Sequence, residues 1–208
     1  MPHRKIFIIL LFCLTGLSTR AQRFGLKAGV NYSNARVYDS ATKISSGYKA
    51  GATFGAMADF EFDGPLHFTP SIMYSMKGYS FKPIKGTRQE ISTTFHYLEL
   101  GAILSFNIPA IHKGFALNAG PTASFAFSGK EKITENGVTN TSDIGFSLVK
   151  DYGFYDMGMF MGASYSFQKW MLQAGYQLNF ININNNAETD QLNIRNRTLS
   201  LTFGYFLR

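Results

Sequence analysis

Charge is scarce in this chain of 208 residues: Asp, Glu, Lys and Arg make up 16% of it, where an average soluble domain carries about 25%. A surface built for water is rich in those side chains, so their scarcity argues against an ordinary soluble domain. Cysteine occurs once, at Cys13. It lies inside an apolar run, and the large Phe12 before it does not suit a lipoprotein cleavage site. The rest of the chain therefore has no disulfide and no thiol chemistry. Six Pro beside 20 Gly exclude a disordered or collagen-like composition. Past the N-terminal run no segment approaches eighteen consecutive apolar residues, which excludes a helical membrane span. No internal stretch has the period of a useful amphipathic helix. The formal net charge is +7, but its Lys and Arg are scattered rather than gathered on one stripe, so no nucleic-acid partner is expected.

The first residues have three parts. Arg4 and Lys5 are basic, residues 6–17 (IFIILLFCLTGL) are apolar, and Ser18, Thr19, Arg20 and Ala21 form a plausible cleavage region. That layout predicts a secretory signal peptide over 1–21, cleaved after Ala21, and a mature domain over 22–208. The mature chain keeps 17 Lys and Arg against 13 Asp and Glu, a balance of +4. No cofactor is expected.

What the chain has in abundance is alternation. In YDMGMFMGASYSFQKWMLQAGYQLNFI, Tyr155, Met157, Met159, Met161, Ala163, Tyr165 and Phe167 share one parity. Asp156, Gly158, Gly162, Ser164 and Ser166 take the other, and Phe160 is the exception. The pattern restarts at Trp170. Period two means β-strand, and eight such segments follow one another: 23–33, 47–62, 66–81, 94–107, 115–128, 155–167, 170–181 and 197–208. Short connections (63–65, 108–114, 168–169) alternate with long polar ones (34–46, 82–93, 129–150, 182–196). An up-and-down meander places all short turns and both termini at one end, the asymmetry of outer-membrane barrels. Pro70 and Pro121 fall inside strands, where a missing N–H predicts a bulge or local distortion.

The polar parity is small and mostly neutral, with roughly one or two charges per strand: Gly25, Lys27, Gly29, Asn31; Gly51, Thr53, Gly55; Asn118, Gly120, Thr122, Ser124. That suits a narrow lumen filled by side chains better than a surface in water. The apolar parity is almost free of charge and is bracketed by rings, Tyr48 and Phe60, Tyr155 and Phe167, Trp170 and Phe180, as interfacial girdles are. The expected fold is all-β: an eight-stranded antiparallel up-and-down transmembrane β-barrel in an outer membrane. Its expected partners are outer-membrane lipid and lipopolysaccharide.

The segments FGLKAGVNYSN (24–34), YLELGAILSFN (97–107), GPTASFAFSGK (120–130), YDMGMFMGASYSF (155–167) and LSLTFGYFL (199–207) resemble the PorT-like outer-membrane β-barrel family of Bacteroidota. They cover nearly every strand in order, although Gly101 stands where that family commonly has a proline. The resemblance implies the same fold and location. One member is associated with type IX secretion, so it also offers an accessory role beside other envelope or secretion proteins.

Parity places Lys27, Lys49, Asp59, Lys77, Glu99 and Asp156 inside the barrel, three of each sign. An unpaired charge in a narrow bore costs several kcal/mol, so they are expected to form an interior polar network, with Glu99 and Asp156 each beside a Lys or Arg. Among the histidines, His67 is expected in the lumen near the short-turn end, His96 at the outer rim on the apolar parity and His112 in a turn. None has a Ser and a carboxylate at matching depth, as acyl transfer would need, so no catalytic residue is assigned. Residues 182–190 (NINNNAETD) lack the spacing of a calcium loop, and no metal site is assigned. Lys82, Lys85 and Arg88 share one outer loop and could touch lipid phosphates; Asn136-Gly137 marks a turn. The expectation is a non-enzymatic, structural or envelope-assembly protein, with a secretion accessory and a lipid-modifying enzyme built on His96 as alternatives.

Overall fold

The computed structural model describes residues 22–39, 42–44, 46–81, 89–111, 113–147, 152–185 and 192–207. The signal-peptide segment, His112, Lys82, Lys85 and Arg88 fall outside the described residues.

Twelve strands follow in chain order: β1 (Gln22–Asp39), β2 (Thr42–Ile44), β3 (Gly47–Asp63), β4 (Leu66–Phe81), β5 (Gln89–Asn107), β6 (Phe115–Glu135), β7 (Val138–Asp143), β8 (Phe146–Ser147), β9 (Tyr152–Gly153), β10 (Tyr155–Phe167), β11 (Trp170–Asn179) and β12 (Leu192–Phe206). Eight of them close a ring of antiparallel neighbours, β1-β3-β4-β5-β6-β10-β11-β12, which returns to β1. The fold is therefore an eight-stranded antiparallel up-and-down barrel. Closure lets each ladder N–H and C=O find a partner, which is what permits strands to stand in lipid. Turns between strands at one end are tight. Gly64, Gly114 and Gln168 take positive φ there (53°, 98° and 53°), the left-handed conformation that reversing chains commonly use.

The facing follows the parity. Phe24, Leu26, Val30 and Tyr32 on β1 point outward, as do Leu199, Leu201 and Phe203 on β12. Asn31, Thr53, Ser75, Asn118, Thr122, Ser124 and Thr202 are buried in the bore. At the long-loop end Tyr32 stacks on Tyr48, ring centroids 4.7 Å apart; at the short-turn end Trp170 packs on Phe203 and Tyr205. Roughly ten tilted residues between these two rims cover about 25 Å of hydrocarbon.

Four features depart from the sequence reading. The long connections are partly strand: β1, β5, β6 and β12 run past the expected boundaries, and β7 pairs back on β6 from Lys130↔Asp143 to Glu135↔Val138. Residues of β7 are exposed on both sides, so they carry no apolar alternation to read. Neither proline makes a bulge. Pro70↔Ala102 and Pro121↔Met159 pair in register, and on the opposite side of each proline the ladder lapses for two pairs before resuming unshifted. A missing donor costs bonds on one side only, and the neighbouring pairs hold the register. Bulges occur elsewhere. One lies in β3 between Tyr48 and Thr53, another in β6 at Phe127, where His96↔Ser128 is followed by Tyr97↔Ala126. Finally, the bore is not polar throughout. Near the long-loop end Val37, Tyr79, Phe95, Tyr97, Ile183 and Ile194 form a buried apolar cap, with Phe146 and Tyr152 packed against it.

Candidate functional site

The bore is filled in four levels, each assembled from distant strands. At the short-turn end Asp59 on β3 accepts hydrogen bonds from Arg23 Nη2 (2.6 Å) and Nε (3.1 Å). His67 Nδ1 on β4 lies 3.1 Å from Asp59 Oδ1, and its Nε2 lies 2.8 Å from Asn107 Nδ2. One tautomer satisfies both contacts, with Nδ1–H donating to the carboxylate and Nε2 accepting from the amide. The Arg23 guanidinium also lies 4.3 Å above the Phe206 ring, which packs with Met57 and Met171. A polar cavity of about 230 Å³ opens here, bordered by Arg23, Asp59, His67, Ser105 and Asn107.

At mid-depth Lys77 on β4 donates to Glu99 Oε2 on β5 and to Gln177 Oε1 on β11 (3.1 Å). Glu99 also accepts from Ser124 (2.9 Å) and from Gln177 Nε2 (3.1 Å), and Gln177 Nε2 reaches Thr122 (2.8 Å). Lys27 on β1 donates to Gln173 Oε1 at 3.1 Å. These side chains leave a cavity of about 40 Å³, room for a water or two. Phe160, the one residue of β10 that breaks the alternation, turns its ring inward over Gly175 and Gly162, where a Cβ at Gly175 would collide with it. The glycines of the bore are the space into which this ring fits.

Above this level lies Asp156, fully buried. It accepts from the side-chain amides of Asn179 and Asn196, the latter at 2.9 Å, and Asn196 also reaches Tyr97 Oη at 3.2 Å. The cation expected in contact with Asp156 is not there. No ion pair reaches it among the described residues, and Lys77 acts on it from beyond contact. Two amides have taken the cation's place, a substitution invisible in sequence because Asn reads as a generic polar residue. The apolar cap forms the last level, and Tyr79 Oη meets Tyr152 Oη at 2.9 Å within it.

Lys49 does not join the interior set. Its Nζ donates to Ser92 Oγ (2.8 Å) and Thr94 Oγ1 (2.6 Å). Those two share the outward parity of His96 and Leu98, while Thr93 and Phe95 between them are buried in the bore. The β3 bulge beginning after Tyr48 puts two consecutive side chains, Tyr48 and Lys49, on the outer wall. Strict alternation could not show this. The structure thus brings Lys77 and Glu99 into contact and sets Lys27 beside them. It holds Asp59 and Asp156 at opposite ends of the bore and places Lys49 outside.

His96 also lies on the outer wall, its Nδ1 2.6 Å from Tyr74 Oη. Among the described residues no group of three or more His, Cys, Asp or Glu is placed to hold a metal ion.

Comparison with known proteins agrees with this architecture. The family model described as outer membrane protein beta-barrel domain matches residues 18–185. No curated protein matches the chain significantly. Among solved structures, the chain is similar to Neisserial surface protein A, with 16% identity, 89% of this chain and 99% of that one covered, and a TM-score of 0.47. It is also similar to Ail, the attachment invasion locus protein of Yersinia pestis, solved with the heparin analogue sucrose octasulfate: 16% identity, 90% and 100% covered, TM-score 0.49. The family match spans most of the closed ring described above, and by it the chain belongs to the outer membrane protein β-barrel domain family.

Proposed function

We propose that this protein is a non-enzymatic outer-membrane barrel with a structural or envelope-assembly role, acting through its long-loop end and its lipid-facing wall rather than through its bore. The observation that carries this reading is the filled lumen. The Lys77–Glu99–Gln177 cluster, the Phe160 ring and the cap of Tyr79, Phe95 and Tyr97 stand one above another along the axis. Eight strands leave an interior just wide enough for side chains, so little is left for a solute. Residues 1–21 act as the export signal, and the mature chain, 22–208, takes outer-membrane lipid and lipopolysaccharide as its surroundings.

Purified barrel in planar bilayers is expected to give no stepwise conductance; regular steps would overturn the closed-bore reading. In cells, deletion is expected to raise envelope permeability while leaving the set of secreted proteins intact. A selective loss of secreted proteins would instead support the accessory role in type IX secretion that the resemblance to PorT-like barrels implies. Turnover of outer-membrane lipid that disappears in His96→Ala would make the protein a lipid-modifying enzyme and overturn the non-enzymatic reading.

A further inference from the structure

On the outer wall, above the tyrosine belt at the long-loop end, three arginines gather. Arg36 on β1 stands directly opposite Arg195 on β12, and Arg197 lies two residues further toward the membrane, opposite Asn34. All three share the outward parity of Leu199 and Leu201, since Ala35, Val37, Asn196 and Thr198 between them are buried in the bore. Like charges directly opposite in an antiparallel pair destabilise it. Among the described residues no ion pair offsets that cost: those present are Arg23–Asp59, His67–Asp59 and Lys77–Glu99, none of which involves these arginines. Arg195 Nε meets only the Asn193 amide oxygen at 3.0 Å, and Arg36 lies 6.0 Å from the Tyr38 ring centroid.

The height of the cluster is set by its neighbours. Tyr32 pairs with Leu199, and Leu199 with Tyr176, so these side chains and Tyr48 form a ring-rich belt immediately below. Arg36 is close enough to act electrostatically on the Tyr176 hydroxyl. Tyrosines at this position mark the boundary between hydrocarbon and headgroups. The arginines therefore stand at headgroup depth, facing lipid. Around the same rim Lys49 comes within repelling range of Lys132, a second meeting of like charges on the outer face.

We propose that Arg36, Arg195 and Arg197 bind the phosphate of an outer-leaflet lipid, with the Tyr32–Tyr48 belt against the upper part of its acyl chains. Two guanidinium forks held side by side on adjacent strands match a phosphate geometrically, and a bridging dianion turns their repulsion into attraction. This assignment rests on the reading that the long loops face the cell exterior. The binding measurement itself is independent of orientation, so a failure of that reading would leave the phosphate site standing in the other leaflet.

The test uses the folded mature chain in neutral detergent, with lipid A as the probe, the same lipid after removal of its phosphates, and inorganic phosphate. Wild type is expected to bind phosphorylated lipid about tenfold or more tightly than the dephosphorylated form. Arg36→Gln/Arg195→Gln should abolish that difference, whereas removing an exposed lysine of the loop extension, Lys130→Gln, should leave it. Inorganic phosphate at equal concentration should not compete. Equal binding of both lipid forms by wild type, or an unchanged preference in the double variant, would overturn the proposal. Full competition by inorganic phosphate would overturn the lipid as the source.

Single Arg36→Gln gives a readout that needs no binding assay. It should raise the unfolding temperature in neutral detergent, where only repulsion is removed, and lower it once phosphorylated lipid is present. A shift of the same sign in both media would mean an arginine with a structural role alone, and would refute the site.

Discussion

Lys77 and Glu99 meet in the middle of a bore that lipid surrounds, and the same ammonium reaches Gln177 on the opposite wall. The lysine is only 2% exposed, so the pair is a buried one. Removing either partner leaves an uncompensated charge, whereas removing both does not. Lys77→Met or Glu99→Met alone should cost about 3–5 kcal/mol, and Lys77→Met/Glu99→Met much less than the sum. Urea unfolding in lipid vesicles measures all three. Additive losses would show that the two side chains act independently.

Leu201 faces outward between Val30 and Ala174, and half of its surface is uncovered by protein. In lipid that position is satisfied; an arginine there is not. Leu201→Arg should destabilise the barrel by about 2–4 kcal/mol if it meets the bilayer midplane. A near-neutral result in vesicles would show that this wall does not contact hydrocarbon.

The Phe160 ring occupies the space above Gly175 that any larger residue would need. Gly175→Ala should therefore cost about 1–3 kcal/mol through overpacking. Phe160→Leu in the same chain should recover part of that loss, because the shorter side chain frees the contact. Thermal unfolding of the two singles and the double tests this, and absence of any recovery would place the strain elsewhere.

The β6–β7 hairpin turns at Asn136 (φ 50°) and Gly137 (φ 84°), the double positive-φ pair that a tight two-residue hairpin favours. Its outer strand is exposed throughout. Replacing residues 132–141 by a shorter Asn-Gly turn should change barrel stability by no more than about 0.5 kcal/mol, the usual range for surface changes. Limited proteolysis should cut this hairpin in the wild type and not in the shortened form. A large loss of stability would show that the extension helps to close the ring.

Much of the fold could be read from residue order, because membrane strands carry their information in period two. Eight alternating segments and connections of alternating length already specify a meander, and the near-absence of charge on one parity and its scarcity on the other specify lipid on one side and a narrow bore on the other. The candidate site was legible only in part. Lys77 and Glu99 were placed inside by parity alone, and Phe160 stood out as the exception in an otherwise regular strand.

Other features depended on the folded chain. A bulge adds one residue without any compositional mark, so the outward turn of Lys49 and the parity change after Phe127 left no trace in the pattern. The amides around Asp156 come from strands 23 and 40 residues away, and the pairing of Arg36 with Arg195 joins the first strand to the last. By itself, the order of amino acids determined which side chains face lipid and which face the bore wherever no bulge intervenes, since alternation is local and survives any register. Ring closure and shear alone decided which of them meet across the barrel, because register is a relation between strands that no single strand contains.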